Sequence, residues 1–228
     1  MSKPILGVLG GMGPLASALF MELVTNKTLA EKDQDHLDII LYSMASIPER
    51  TGYILGETTN SPLYDLKKYI IKLRDSNVSL VAIPCVTATY FYNDIKNLGV
   101  QVANIAEIAL NAATDNSKIG ILATTGTINA GFFQNYTNKS LIFPDNDYQH
   151  MLMDVIYSAI KGGHKFDNNI FNLITDNLLA KGCDIIILGC TELSIINNWL
   201  KLNPLIFIDA MEELAKFCIE TLGKKVKV

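Results

Sequence analysis

Two of the four cysteines stand in matching surroundings. Ser79–Thr89 reads SLVAIPCVTAT and Asp184–Ser194 reads DIIILGCTELS. Each is an apolar strand, then Pro or Gly, then a cysteine, then a Thr-bearing helix start. Cys85 and Cys190 are therefore expected at helix N-termini, where unpaired backbone N–H groups and the helix dipole favour a thiolate. Cys183 precedes a strand and Cys218 lies on a helix, so both read as small buried hydrophobes. Inverting an α-carbon requires taking hydrogen from one face and returning one to the other, and opposed thiols can each serve one face. A free thiol pKa of about 8.5 can be brought near neutrality by its surroundings, which suits both roles. The α-hydrogen of an amino acid is very weakly acidic. Without a pyridoxal electron sink, preorganised donors must stabilise the carbanion-like charge. A metal site is a poor alternative, because no histidine or third cysteine lies at ligand spacing from either thiol.

Three loops could hold an anion beside those thiols. Gly10-Gly11-Met12-Gly13-Pro14 follows a strand and opens a helix, so its backbone N–H groups can approach a carboxylate. It lacks the third glycine of a dinucleotide fingerprint and the lysine of a phosphate-binding P-loop. A carboxylate is the favoured anion, and a tight turn that needs glycine dihedrals is the alternative reading. Ser46-Ile47-Pro48-Glu49-Arg50-Thr51 offers the planar fork of Arg50. Thr124-Thr125-Gly126-Thr127 offers hydroxyls and N–H groups, and reads equally well as helix capping.

Elements that would position these loops alternate as short apolar runs and longer amphipathic segments, the pattern of parallel sheets covered by helices. Strands are expected at 5–9, 38–42, 79–83, 118–122, 184–188 and 205–207. Helices are expected at 14–30, 62–76, 88–98, 105–113, 129–136, 147–160, 167–181 and 210–222. The strand openings ILGVLGG (5–11) and KIGILATTG (118–126) repeat the correspondence seen around the cysteines. The fold class is α/β: two pseudo-twofold-related domains, each a mainly parallel sheet flanked by helices. Ligands on such sheets collect at the carboxyl ends of the strands, so the active site is expected in the cleft between the domains. The first domain is drawn as 1–99 plus 206–228 and the second as 100–205.

The 228 residues, about half of them apolar, suffice for two cores. A formal net charge of −4 with no basic run argues against nucleic acid as a partner. Lys224, Lys225 and Lys227 read as a solvated helix end. No apolar stretch approaches a bilayer span, and Met1-Ser2-Lys3-Pro4 does not open a secretory signal. A cytoplasmic location with reduced thiols is expected. His36, His150 and His164 lie in polar or glycine-bearing stretches and read as exposed.

GGMGPLAS, SIPERT, PC-x-T and GCTE, in that order between Gly10 and Glu192, together resemble the aspartate/glutamate racemase family. The resemblance implies a racemase with two domains, independent of pyridoxal phosphate and of metals, commonly dimeric, with Cys85 and Cys190 as the catalytic pair. It implies Arg50 at a substrate's side-chain carboxylate, and Thr87, Thr127 and Thr191 at the α-carboxylate and amino group. Met12, Thr51, Val86 and Glu192 fall within the matching motifs and, with Thr125 of the Thr124–Thr127 loop, join the expected substrate-binding set. Tyr157 and Lys161 match a Tyr/Lys pair near the substrate in aspartate racemases. Apart from the family, Lys161 before Gly162-Gly163 is a cation at a helix C-terminus.

The chain departs from the pattern at Val86, where the family usually has Asn, and that removes a donor and an acceptor from the substrate's polar head. A histidine often found near the start of the following helix is also absent, with Thr89 in that region. Glu49 stands where Asp is common. The expected function is interconversion of L- and D-aspartate, with glutamate second, on a small-molecule amino acid without nucleic acid or membrane partners. A maleate isomerase-like enzyme and a non-catalytic amino acid or dicarboxylate binder remain as alternatives.

Overall fold

The computed structural model describes residues 3–114 and 117–227. Met1, Ser2 and Val228 of the expected first domain, and Asp115 and Asn116 of the second, lie outside the described residues. Four strands form the first sheet: β1 (Ile5–Gly10), β2 (Asp38–Ser43), β3 (Leu80–Ala82) and β4 (Gln101–Val102), all parallel, in the order β2-β1-β3-β4. The second sheet contains β5 (Ile119–Leu122), β6 (Leu141–Ile142), β7 (Ile185–Leu188) and β8 (Phe207–Asp209), again parallel, in the order β6-β5-β7-β8. The two orders are the same when strands are counted within each half. The repeated sequences therefore occupy equivalent places: the glycine loop and TTGT follow the first strand of their sheets, and each cysteine follows the third.

Ten helices cover these sheets among the described residues: α1 (Pro14–Lys27), α2 (Arg50–Ile54), α3 (Leu63–Asp75), α4 (Tyr92–Ile95), α5 (Ile105–Asn111), α6 (Thr125–Ala130), α7 (Asn146–Asp154), α8 (Asn168–Ala180), α9 (Thr191–Leu200) and α10 (Ala210–Thr221). Alternation along β3 divides its side chains between two cores. Val81 and Ile83 join Leu66, Ile70 and Leu73 of α3, whose spacing puts one apolar stripe on the sheet. Leu80 and Ala82 face the other way, into a core that includes Ala16 and Phe20 of α1, Leu214 of α10 and the strands of the second sheet. Complete burial of each such Leu, Ile or Phe contributes about 1.5–3 kcal/mol. The C-terminal α10 packs on α1 and α5, and Lys27 of α1 pairs with Glu212 of α10 at 2.8 Å. β4 and β8 complete their sheets at 101–102 and 207–209, just beyond the expected domain boundaries.

Several elements differ from expectation. The 88–98 helix is a 3-10 segment, Val86–Phe91, followed by the single α turn of α4. Thr87, Thr89 and the aromatic run from Tyr90 lose χ1 freedom in an α-helix, and the burial of Thr87, Thr89 and Phe91 fixes the tighter path. The helix expected at 129–136 begins earlier, at Thr125, because Thr124 Oγ1 caps the Thr127 N–H at 3.2 Å. It stops at Gly131, whose φ of +65° ends the helix, and a 3-10 turn at Phe132–Tyr136 follows. The 147–160 helix becomes π-helical at Val155–Lys161. The last strand starts at Phe207 because Asn203–Ile206 forms a turn that leaves Leu205 83 % exposed. α2 and the two-residue strands β4 and β6 were too short for periodicity to reveal. His150 and His164 are exposed, but His36 is half-buried at the entry to β2. No described helix is long and apolar enough to cross a membrane.

Candidate active site

Each cysteine is placed by the same local sequence logic. β3 ends at Ala82, and Ile83-Pro84 carries the chain to Cys85, whose extended backbone precedes the 3-10 segment at Val86. β7 ends at Leu188, and Gly189 leads to Cys190, extended in the same way and capping α9. The first-turn bonds Ala88 N–H to Cys85 O (3.1 Å) and Leu193 N–H to Cys190 O (2.9 Å) are equivalent. Both thiols are buried and unbridged. They line one cavity, with Met12, Glu49, Arg50, Thr51, Val86, Thr87, Thr124, Tyr157, Lys161, Thr191 and Glu192. The cavity lies at the carboxyl ends of both sheets. It leaves about 10 Å³ for the centre of a water-sized group, roughly one water.

Two cations enter this space. Arg50, on the first turn of α2, is only 6 % exposed. Its Nη2 donates to Met12 O (3.1 Å) and its Nη1 to Pro48 O (3.2 Å). Its buried Nε has no partner among the described residues. Burial opposes its charge, but Cys85 first, then Glu49 and Glu192, more than compensate and hold the guanidinium above its ordinary value. Lys161 closes the π-helical turn and lies 4.6 Å over the Tyr157 ring, with Nζ 3.6 Å from Glu192 Oε1. Burial works against its ammonium too, and the Glu192 charge ahead of Cys190 and Tyr157 reverses that. Turns of π-helix recur at functional sites, and this one carries both Tyr157 and Lys161.

The carboxylates are equally constrained. Tyr157 donates its hydroxyl to Glu49 Oε1 at 2.9 Å and lies 3.1 Å from Thr51 Oγ1. Burial pushes the Tyr157 phenol up to about 12. Burial raises Glu49, yet the Gly52 and Thr51 N–H groups, Tyr157 and Arg50 together bring it below its ordinary value. Cys190 Sγ–H donates to Glu192 Oε2 at 3.0 Å. Burial, with Glu192 second, holds the Cys190 thiol well above its ordinary range.

Not every expected residue reaches the cavity wall. Thr127 turns its hydroxyl to Thr87 (2.9 Å) and Thr124 (3.0 Å), so it joins the halves behind the wall. Thr125 lies 3.4 Å from the Gln149 amide and takes its N–H to Met153 Sδ. Thr51 reaches Thr124 at 3.4 Å and Thr87 reaches it at 3.3 Å, which completes a buried hydroxyl cluster. Gly126 permits this approach, since a Cβ there would stand 2.9 Å from Thr51 Cα. Sequence reasoning did not place Glu49 and Thr124 on the wall. Each is the N-cap of a short helix, α2 or α6, and capping spacing was the signal that could have found them. No three His, Cys, Asp or Glu side chains among the described residues group as metal ligands would.

The arrangement provides two thiols, two cations and hydrogen-bonding hydroxyls around one small space. A family model described as Asp/Glu/Hydantoin racemase matches residues 9–218. The chain is 24 % identical to the broad specificity amino-acid racemase RacX of Bacillus subtilis, over 95 % of this chain and 97 % of that protein. It is 25 % identical to glutamate racemase of Corynebacterium glutamicum, over 78 % of this chain and 72 % of that one. Among solved structures, Picrophilus torridus aspartate racemase superposes with a TM-score of 0.86 at 25 % identity, over 98 % of this chain and 96 % of that one.

Proposed function

Since the chain belongs to the Asp/Glu/hydantoin racemase family and is thus an isomerase, we propose that it interconverts L- and D-aspartate, with glutamate second. The proposed chemistry needs neither pyridoxal phosphate nor a metal. The observation that carries this reading is the pair Cys85 and Cys190, delivered to one cavity from the third strand of each repeated sheet. In one direction Cys85 sulfur takes the α-hydrogen as a proton, and the C–H electron pair stays on the substrate, delocalised into its carboxylate. Cys190 S–H then gives its proton to the opposite face of Cα, leaving Cys85 as thiol and Cys190 as thiolate. The mirror-image substrate reverses both roles.

Arg50 and Lys161 support an acidic substrate: each is a retained cation facing the cavity, and Arg50 keeps Nε–H uncommitted. Thr87 and Thr191 would hold the α-carboxylate and amino group. Met12, Thr51, Val86 and Tyr157 would shape the space around them. Thr127 would act by holding Thr87 rather than by contact. The relatives named for aspartate, glutamate and broad specificity leave the acid to be ranked by assay. The same reading carries a cytoplasmic homodimer, which light scattering and cell fractionation test.

Proton NMR in deuterated water, with each enantiomer of each acid supplied separately, tests the reaction. Loss of the α-hydrogen signal with formation of the mirror-image acid is expected. Cys85→Ala and Cys190→Ala should each lower that rate by about 10³-fold or more while leaving the circular dichroism unchanged. Full activity in either variant would sink the two-base mechanism.

A further inference from the structure

We propose that Glu192 is a positioning residue that keeps a proton on Cys190 before substrate arrives, so that the resting protein is chemically asymmetric. The proposal deepens the racemase reading: Cys190 would start as the acid and Cys85 as the base. It departs from the expectation that Glu192 contacts substrate.

The two cysteines have equivalent backbones, so any asymmetry must come from what faces their sulfurs. Glu192 lies in the first turn of α9, two residues beyond Cys190, and is 3 % exposed. Its Oε2 accepts the Cys190 S–H at 3.0 Å. A thiolate could not donate this bond, and two adjacent anions in a water-poor site would repel each other strongly. Glu192 is also held in place. A Cβ on Gly13 would stand 3.1 Å from Oε1, so the glycine loop of the other half closes over the carboxylate. Oε1 faces Lys161 Nζ at 3.6 Å, which gives the carboxylate a cation of its own.

Cys85 has no carboxylate in the corresponding place. Its equivalent position, two residues on, is Thr87, whose hydroxyl is committed to Thr127 and Thr124. The charged side chain that faces Cys85 is instead a cation of its own half, Arg50, whose guanidinium is favoured by the Cys85 sulfur. The charged and titratable groups around Cys190 are thus Glu192 and Lys161, with Arg50 and Cys85 across the cavity. The sequence repeat sets the two sulfurs alike, and the T-E versus V-T that follows them makes them differ.

Alkylation by iodoacetamide reads the thiolate at each sulfur separately, without substrate. The full chain is treated at neutral pH, and peptides bearing Cys85 and Cys190 are quantified by mass spectrometry against time. Glu192→Gln keeps the side chain's shape but replaces the acceptor oxygen's charge with an amide able to donate to sulfur. The expected result is a rise in the Cys190 rate of about tenfold, with the Cys85 rate changed less than about twofold. An unchanged Cys190 rate, or equal rises at both cysteines, would overturn the proposal. The second outcome would mean that the substitution merely opened the cavity. A Glu192→Gln protein that fails to fold is replaced by Lys161→Met, in which the carboxylate loses its cation while the thiol partner remains. There the Cys190 rate should stay low, and a rise would overturn the pairing. Absence of α-hydrogen exchange in the wild type would remove the racemase reading without touching the thiol pairing, which alkylation reports by itself.

Discussion

At Val86 a methyl-bearing side chain stands beside a sulfur, on a cavity wall otherwise rich in hydroxyls and charges. The residue is almost wholly buried and packs into the larger core. Val86→Asn would bury an amide with no evident partner, at a cost of about 1–3 kcal/mol in the free protein. A bound amino acid can satisfy that amide. Saturating aspartate is therefore expected to raise the melting temperature more in Val86→Asn than in the wild type. Equal shifts in the two proteins would show that position 86 does not meet the ligand. Cys218, by contrast, is a residue whose chemistry is silenced: burial pushes its thiol up to about 12. Cys183 is likewise raised, by burial first.

Among the elements, α10 ties the end of the chain to the start. Glu212 holds Lys27 of α1 at 2.8 Å and Lys216 of its own helix at 3.0 Å. Burial opposes the Glu212 charge, but hydrogen bonds from Lys27 and Lys216 bring it below its ordinary value of 4.5. A carboxyl lowered on folding stabilises the protein above its unfolded pKa, and this is lost as pH falls through the folded one. Urea titrations of Glu212→Gln should therefore show a loss of about 0.5–1 kcal/mol at neutral pH that vanishes in acid. A constant difference at every pH would assign the loss to packing. At α6 the constraint is steric. Gly126→Ala would drive a Cβ into the Thr51 backbone, and α2 or α6 would have to move. Loss of stability of about 1–3 kcal/mol is expected, with a fall in racemase activity because Arg50 and Thr51 move together.

On the scale of the whole molecule, the two halves meet in a closed cleft. Space for about one water-sized group is far below the size of an amino acid, so binding one is expected to part the halves. The bonds that must yield are those crossing the cleft: Tyr157 to Glu49 and Thr51, and Thr51 and Thr87 to Thr124 and Thr127. Tyr157→Phe removes the first pair while keeping the ring under Lys161. It should speed hydrogen exchange in α2 several-fold and cost about 1 kcal/mol in global stability. Unchanged exchange in α2 would place the opening elsewhere. The α/β architecture was legible in the alternation of apolar runs and amphipathic segments. The motif loops were legible because their glycines, proline and cysteines mark turns at strand ends. Short elements were not. α2, β4 and β6 are fixed by neighbours rather than by a period of their own, and the 88–98 region gave up its α-helix to bury Thr87, Thr89 and Phe91.

What the sequence by itself determined is the repeated strand–cysteine–helix unit, and with it the cysteine pair, the parallel sheets and the loops that carry Arg50 and Thr191. These follow from local chemistry: apolar β-branched runs, helix starts, and glycine where backbones turn. Only the tertiary structure decided what each of those groups faces. It turned Thr127 toward Thr87, gave Tyr157 to Glu49, and set Glu192 against the Cys190 sulfur with Lys161 behind it. Such pairings join residues far apart in the chain or depend on side-chain direction in a buried space. Their energies depend on burial and distance, neither of which spacing along a sequence can express.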